Sequence, residues 1–235
     1  MTFDFCSEPG DVNVPTQIIT PEQTHDFSII FIHGLGQSNL TWKLVVQEAF
    51  APALPSVKWI LPQAPSDQPA AYYHGECRPS WFEISELPPT QDPNEDCQQI
   101  KNSVSAIEDL ILGEVHAGMD PKRIFLVGFS QGAALALIVA LSTLYELGGV
   151  VSLSGWIPHR ARPLLMSTTM PILWCHGLSD DEIPYSYAQE AVAYLRSRLG
   201  ISTRTLTFKE YEDLEHTIRT DELEDVVSWL SRVLG

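Results

Sequence analysis

One serine lies in a setting that would make it a nucleophile. Gly128-Phe129-Ser130-Gln131-Gly132 fits the pattern G-x-S-x-G, in which a serine on a sharp turn exposes its hydroxyl. An apolar run of strand type, 124–127, precedes this pattern, and a run of strong helix formers, 133–140, follows it. Since the strand–turn–helix frame is much more specific than the bare pattern, we predict that Ser130 is a nucleophile. The other interpretation is a plain glycine-rich turn.

A serine hydroxyl is a poor nucleophile at neutral pH and needs an oriented base. Of the seven histidines, only His216 follows the last predicted strand, in the loop before the final helix. Catalytic serines on a strand–turn–helix scaffold are followed along the chain first by an acid and then by a histidine, which favours His216 as the base. A solvated surface histidine is the alternative. His176 precedes every plausible acid, so a structural role is favoured there.

The acid that orients the base should follow the predicted strand at 172–176. The segment 178–184 offers Asp180, Asp181 and Glu182. Only one of them can face the histidine, and the spacing from the strand end favours Asp180. Asp181 would then cap a turn or face water. The residues alone leave this choice open.

The transition state of acyl transfer also needs hydrogen-bond donors for its oxyanion. The backbone N–H of Gln131, directly after the serine, is one candidate. The second donor should come from a loop after an earlier strand. His33-Gly34-Leu35-Gly36 has this character, and we predict the N–H of Leu35. His33 is expected to hold this loop in place.

The elements that must position these residues are apolar strands alternating with helices. Such alternation predicts an α/β fold, with a mostly parallel sheet covered on both faces. We predict a single domain over 1–235, with an irregular or hairpin-like lead-in at 1–26 and a long lid-like loop at 62–96. The expected strands are 27–32, 57–61, 124–127, 149–154, 171–176 and 203–208, and the expected helices are 38 or 39 to 50, 95–118, 133–140, 185–199 and 223–233.

Composition and charge exclude several classes of function. The net charge of −16 argues against nucleic acid and anionic membrane surfaces as partners. We find no signal-peptide pattern at the start and no apolar run near the roughly 20 residues of a membrane span, so no integral membrane association is expected. The four cysteines show no CxxC spacing, and no His/Cys cluster has zinc-ligand spacing. We therefore expect free thiols in a reducing, cytoplasmic setting, and no metal.

Together these motifs resemble the acyl-protein thioesterase / phospholipase–carboxylesterase family, whose members have the α/β-hydrolase fold. The matching blocks occur in family order and span about residues 28–235. The Pro-Ser-Trp-Phe block and the His-Gly-x-x-Asp-x-x-Ile-Pro block are more specific than the serine motif. The blocks are 31–36, 79–84, 123–133 and 175–184, together with Tyr211 followed five residues later by His216.

The resemblance implies a triad of Ser130, Asp180 and His216. It implies an oxyanion hole formed by the N–H groups of Leu35 and Gln131, and hydrolysis of thioesters or carboxylic esters without a cofactor. The substrates would include S-acylated proteins and lysophospholipids. The residues that we expect to border the substrate are Trp81, Gly36, Tyr73 and His74.

Several departures from the family pattern bear on the substrate. The loop 70–78 is polar and charged, Asp181 stands where the family often has proline, and Ala133 stands where it often has glycine. A polar loop would suit a smaller or more polar acyl group, unless its side chains merely face solvent. A small-ester carboxylesterase, a lysophospholipase, an acyltransferase and a catalytically silent acyl binder are therefore alternatives. The apolar content of 72–82 permits a weak homodimer.

Overall fold

Seven strands form one sheet in the computed structural model, which describes residues 15–66, 76–92 and 97–235. The strand order is β1-β3-β2-β4-β5-β6-β7, and every neighbouring pair is parallel except β1 with β3. The strands are β1 (Gln17–Ile19), β2 (Phe27–Ile32), β3 (Val57–Leu61), β4 (Ile124–Phe129), β5 (Gly149–Leu153), β6 (Ile172–Gly177) and β7 (Leu206–Tyr211).

Five α-helices in the described ranges cover the sheet, and the predicted α/β architecture is confirmed. Ser38 caps the first helix, because its side chain accepts the N–H of Leu40. That helix continues as a π-helical turn over Val46–Phe50, which accounts for the predicted length to residue 50. The helices are α1 (Asn39–Val45), α2 (Gln98–His116), α3 (Gln131–Ser142), α4 (Tyr185–Arg198) and α5 (Thr220–Leu234).

Each face of the sheet has its own hydrophobic core. Successive side chains of a strand point to opposite faces, so Ile30 and Ile32 of β2 enter one core while Ile29 and Phe31 enter the other. The first core lies under α2, α3 and α4, and the second lies under α1 and α5. A strand buried on both faces must be almost wholly apolar, which is why β2 shows no polar alternation.

Two predicted segments differ from the structure. The lead-in contains β1, an edge strand that pairs Gln17 with Leu61 instead of remaining irregular. The last strand is β7, three residues later than the predicted 203–208. The chain at 202–205 turns instead, with the N–H of Thr205 donating to the carbonyl of Ser202 at 3.1 Å. The first buried position after this turn is Leu206, and it pairs with Ile172.

The long loop lies partly outside the described residues. Its described parts, 62–66 and 76–92, contain no helix and no strand longer than one residue. Tyr73 and His74 lie outside the described residues, so their predicted role stays a prediction. No helix in the described ranges is long and apolar enough to cross a membrane.

The parallel strands bring the candidate residues to one edge of the sheet. Each candidate residue follows the end of a strand. Leu35 follows β2, Ser130 follows β4, Asp180 follows β6 and His216 follows β7. Because parallel strands have their carboxyl ends at the same edge, these distant residues meet there.

A buried polar cluster joins α2 to the opposite edge. The Glu114 carboxylate accepts the Ser28 hydroxyl at 2.6 Å and the Lys58 ammonium at 2.6 Å. Burial opposes ionisation of Glu114, but the hydrogen bonds from Lys58 and Ser28 outweigh it and hold its pKa below the ordinary value. The cluster therefore fixes the end of α2 against the first residues of β2 and β3.

We expect Glu114→Ala to lower the free energy of unfolding by about 2 kcal/mol, because it leaves buried partners unsatisfied. Glu146→Ala is the matched control, since Glu146 pairs with Lys122 at 3.1 Å with both side chains more than 60% exposed. Its effect should stay within about 0.5 kcal/mol. Urea unfolding of both variants measures the difference, and equal effects would contradict a structural role for the cluster.

Candidate active site

Ser130 lies on a strained turn between β4 and α3. Its backbone has φ 53° and ψ −121°, a region that residues with a side chain rarely occupy. The Ser130 N–H donates to the carbonyl of Leu153 at 2.9 Å, and the Ser130 carbonyl accepts the N–H of Ala134 at 3.0 Å. These bonds to β5 and α3 fix the serine at the end of the sheet.

The two motif glycines allow the close approach that this turn requires. A Cβ on Gly132 would lie 2.1 Å from the carbonyl oxygen of Ile32, and one on Gly128 would lie 2.3 Å from the carbonyl oxygen of Gly132. Both distances are far below van der Waals contact with backbone atoms that cannot move aside. Glycine is therefore the residue that fits at each position.

Ser130, His216 and Asp180 form one hydrogen-bonded chain. His216 Nε2 lies 2.8 Å from Ser130 Oγ, and His216 Nδ1 lies 2.8 Å from Asp180 Oδ2. Because a carboxylate accepts from Nδ1–H, Nε2 of the neutral ring is left to accept the serine proton. The Asp180 side chain is fully buried, and that of His216 is 10% exposed.

The structure brings Asp180, and not Asp181, to the histidine. Asp180 Oδ1 also accepts the N–H of Ile183 at 2.8 Å, which fixes the carboxylate plane. Asp181 is exposed. The Glu182 carboxylate comes within 3.9 Å of His216 Nε2, but its side chain is 51% exposed. Asp180 is therefore the buried acid beside the imidazole.

His176 supports the loop that carries Asp180. It is fully buried, its Nε2–H donates to the carbonyl of Ile183 at 2.8 Å, and the same nitrogen lies 3.7 Å from Asp180 Oδ2. Burial lowers its pKa below the ordinary value. The ring therefore stays neutral and pins the turn at 180–183, in agreement with the structural role favoured by its position.

The backbone N–H groups of the loop after β2 are almost all engaged. Gly34 N–H donates to Gln37 Oε1 at 2.8 Å, Gly36 N–H to the carbonyl of Pro79 at 2.7 Å, and Gln37 N–H to the carbonyl of Gly34 at 3.3 Å. Within the described part of the chain, Leu35 N–H has no acceptor. Leu35 therefore offers the open donor of this loop, whereas the N–H of Gly36 is already committed.

Gln131 opens α3, and its side chain has a role that the motif did not reveal. Its backbone N–H is at the first helical position, where no intrahelical acceptor exists. Its side-chain Oε1 accepts the Trp81 N–H at 2.9 Å, and its Nε2 donates to the Phe82 carbonyl at 2.6 Å. The fully buried carboxamide thus holds the segment 81–82 against the serine turn.

Trp81 is a buried connection between two loops. Its Nε1–H donates to the His33 carbonyl at 2.8 Å, and only 4% of the residue is exposed. Its predicted contact with substrate stays a prediction.

Two aromatic residues that sequence reasoning missed lie behind His216. The Phe129 ring centroid is 5.0 Å from that of His216, and the Trp42 ring is 5.3 Å from Phe129. Phe129 is the variable residue before the serine in the motif, and Trp42 is one apolar residue of a helix. In the sequence, nothing about the position of Phe129 or of Trp42 distinguishes it from an ordinary core residue.

His33 is neutral and holds the loop in place, as expected. Its Nδ1–H donates to the Gly34 carbonyl at 2.8 Å, so its Nε2 accepts the Ala64 N–H at 3.0 Å. Burial of the ring lowers the pKa to about 4. A protonated ring could not accept from Ala64, so the bridge between the two loops requires the neutral form.

Glu222 is a further buried carboxyl, in the first turn of α5. Burial raises its pKa to about 8, and the nearby Asp221 and Asp180 charges act in the same direction. It is therefore protonated at neutral pH. No group of three His, Cys, Asp or Glu side chains in the described ranges is placed to hold a metal, and Cys77, Cys97 and Cys175 are free thiols.

The pKa of His33 leads to a prediction about stability at mild acid pH. In the unfolded chain the His33 imidazole has an ordinary pKa of 6.5 and is protonated below that pH. In the folded protein the ring stays neutral until about pH 4. The free energy of unfolding should therefore fall by about 3 kcal/mol more in the wild type than in His33→Gln as pH drops from 7.5 to 4. Urea unfolding across this range measures both proteins, and parallel curves would show that His33 titrates normally.

The comparisons with known proteins identify the family of this chain. The family model for phospholipase/carboxylesterase matches residues 14–234. Acyl-protein thioesterase 1 of Cryptococcus neoformans is 35% identical in an alignment 230 positions long that covers 92% of this chain and 96% of that protein. A probable SOBER1-like carboxylesterase of Arabidopsis thaliana is 33% identical in an alignment 232 positions long that covers 97% of this chain and 87% of that protein.

Solved structures show the same fold. Arabidopsis thaliana SOBER1 superposes with a TM-score of 0.77 at 30% identity, covering 89% of this chain and 99% of that one. Zea mays acyl-protein thioesterase 2 superposes with a TM-score of 0.78 at 28% identity, covering 94% and 99%. The α/β-hydrolase fold and the resemblance found in the sequence are thus confirmed, and the chain belongs to the phospholipase/carboxylesterase family of hydrolases.

Proposed function

We propose that this protein is a serine hydrolase that cleaves thioesters or carboxylic esters through an acyl-enzyme, as an acyl-protein thioesterase does. The observation that carries the proposal is the hydrogen-bonded chain Ser130–His216–Asp180, with both links at 2.8 Å. Relatives named acyl-protein thioesterase support S-acylated proteins as substrates.

In the first half-reaction, Ser130 Oγ attacks the acyl carbonyl carbon while His216 Nε2 takes the hydroxyl proton. The buried Asp180 carboxylate keeps Nδ1 protonated and stabilises the imidazolium that forms. The N–H groups of Leu35 and Gln131 donate hydrogen bonds to the carbonyl oxygen as negative charge develops on it. The tetrahedral intermediate collapses when His216 donates its proton to the leaving thiol or alcohol.

In the second half-reaction, water replaces the leaving group. His216 takes a proton from the water as it attacks the acyl-serine, and returns that proton to Ser130 Oγ when the carboxylic acid departs. Every proton transfer uses groups of this chain, so the mechanism calls for no cofactor.

A carboxylesterase acting on small or polar esters is the second candidate. Relatives named probable carboxylesterase, from Oryza sativa and Arabidopsis thaliana, favour it at 33% identity. Both candidates use the same triad and oxyanion donors, and they differ in which acyl group the site accepts.

Ser130→Ala should lower turnover by at least about a thousandfold while the fold is retained, because it removes the nucleophile. Purified wild type and variant are assayed on short and long p-nitrophenyl esters, matched acyl-thioesters and an S-palmitoylated peptide. Serine-dependent cleavage of the peptide supports the thioesterase, and serine-dependent cleavage confined to short esters supports the carboxylesterase.

A fluorophosphonate probe provides the control for this experiment. It should label the wild type and leave Ser130→Ala unlabelled, because it reacts with activated serines. A variant that retained wild-type rates would exclude the serine mechanism. Labelling without hydrolysis of any ester would indicate an acyltransferase, and the absence of labelling would indicate a catalytically silent acyl binder.

The adjacent residues Asp180 and Asp181 provide a matched pair of variants that tests which of them is the acid of the triad. Asp180→Asn should lower kcat by about 10³ to 10⁴, because an amide no longer fixes the histidine tautomer. Asp181→Asn should leave kcat within about twofold, since Asp181 is exposed and not in contact with His216. Steady-state kinetics on one ester compare the two variants, and similar losses in both would remove Asp180 from the triad.

A further inference from the structure

Gln37 Oε1 accepts two hydrogen bonds beside the candidate oxyanion donors. One comes from the Gly34 N–H at 2.8 Å and the other from the indole Nε1–H of Trp42 at 2.8 Å. Gln37 is 8% exposed, and Trp42 is fully buried. Two donors on one oxygen fix the orientation of the carboxamide.

This carboxamide lies next to the nucleophile. A Cβ built on Gly34 would be 2.9 Å from Gln37 Oε1 and 3.2 Å from the Cβ of Ser130. The glutamine oxygen and the serine side chain therefore both lie close to the same side of Gly34. The Gly34 N–H belongs to the peptide that joins His33 to Gly34, so a change in the Gln37 side chain would act on that peptide and, through Gly34, on the next one, which carries the Leu35 N–H.

The Gln37 side chain also decides which N–H of the loop remains open. It takes the Gly34 N–H, while Pro79 takes that of Gly36 at 2.7 Å. Among the described residues, this leaves the Leu35 N–H without an acceptor. Without the acceptor at residue 37, the Gly34 N–H would be an unsatisfied donor in a buried site, and the loop would relax to pair it.

Trp42 connects this loop to the base. Its indole N–H binds Gln37, and its ring lies 5.3 Å from Phe129, which lies 5.0 Å from His216. On its other side the ring packs against Phe31 at 4.5 Å. One buried side chain thus contacts the loop that carries Leu35 and the phenyl ring that supports His216.

We propose that Gln37 and Trp42 are a pair of positioning residues for the esterase reaction, an inference that rests on the proposed function. The amide oxygen of Gln37 fixes the Leu35 N–H where the oxyanion develops. The indole of Trp42 locks that amide and, through Phe129, the plane of the His216 ring. Neither side chain contacts the reacting atoms.

The pair should act on the transition state more than on the bound substrate. Loss of one oxyanion donor costs about 10² to 10³ in kcat, and a displaced donor should cost part of that. Gln37→Met keeps the size of the side chain but has no strong acceptor, so we expect kcat to fall about 10- to 100-fold with KM within about threefold. Gln37→Glu keeps the acceptor and should retain a kcat at least fivefold above that of Gln37→Met.

Trp42→Phe removes the indole N–H and keeps an aromatic ring beside Phe129. It should lower kcat by a smaller factor than Gln37→Met. In the double variant the fold-decrease in kcat should be smaller than the product of the two single fold-decreases, because both substitutions break the same hydrogen bond. Gln63→Met is the control. The Gln63 amide donates to the Gln37 backbone carbonyl at 3.4 Å and accepts the Asn39 N–H at 2.8 Å; neither bond involves the Gln37 carboxamide or the Trp42 indole, so kcat of this variant should be unchanged.

All rates are divided by the amount of protein that the fluorophosphonate labels. Unfolded protein is not labelled and therefore does not lower the kcat obtained in this way. A trifluoromethyl ketone, which adds to the serine and forms an oxyanion, gives a second readout. Its affinity should fall in parallel with kcat in Gln37→Met and recover in Gln37→Glu. The ratio of its affinity to KM would not change if the residues only stabilised the fold.

The outcomes separate this inference from the proposed function. If Gln37→Met and Trp42→Phe keep wild-type kcat and ketone affinity per labelled serine, the inference is wrong and the esterase assignment stands. If the wild type neither labels nor turns over any ester, the proposed function itself fails. If Gln37→Met does not fold, Trp42→Phe and Gln37→Glu decide: unchanged ketone affinity in Trp42→Phe overturns the inference.

Discussion

The strained backbone at Ser130 is the constraint on which the rest of the site depends. A serine at φ 53° persists only because β5 accepts its N–H and α3 begins directly beneath it. That geometry brings Gly132 against the carbonyls of β2, with no room for a Cβ. The same close approach brings the start of α3 against the end of β2, just before the loop that carries Leu35, so one packing contact positions the candidate nucleophile and the candidate donors.

Buried neutral histidines complete the scaffold around this turn. His33 and His176 both bind backbone groups of the loops that carry site residues, and burial lowers the pKa of both. A neutral ring can bridge two loops without placing a second positive charge beside the imidazolium that the proposed mechanism forms at His216. Buried polar groups thereby define the geometry of the loops around the candidate site.

Much of the fold was predictable from local patterns. Apolar runs marked β2 to β6 because a strand buried on both faces excludes polar residues. The wrong start predicted for the last strand shows the limit of such reasoning. The residues at 203–205 have side chains typical of a strand, but the backbone forms a turn in which Thr205 N–H donates to the Ser202 carbonyl. The edge strand β1 escaped notice because three half-exposed residues carry no periodic signal, and only pairing with β3 makes them a strand.

The sequence by itself determined the candidate nucleophile and base and narrowed the acid to the segment 178–184, because this chemistry requires specific residue types in a specific order. Only the tertiary structure decided between Asp180 and Asp181, since adjacent carboxylates differ in which way the turn points them, and that depends on Ile183 and His176. The side-chain roles of Gln37, Trp42 and Gln131 also emerged only in three dimensions. Their hydrogen bonds join loops up to 50 residues apart along the chain, and no local pattern encodes which donor will meet which acceptor.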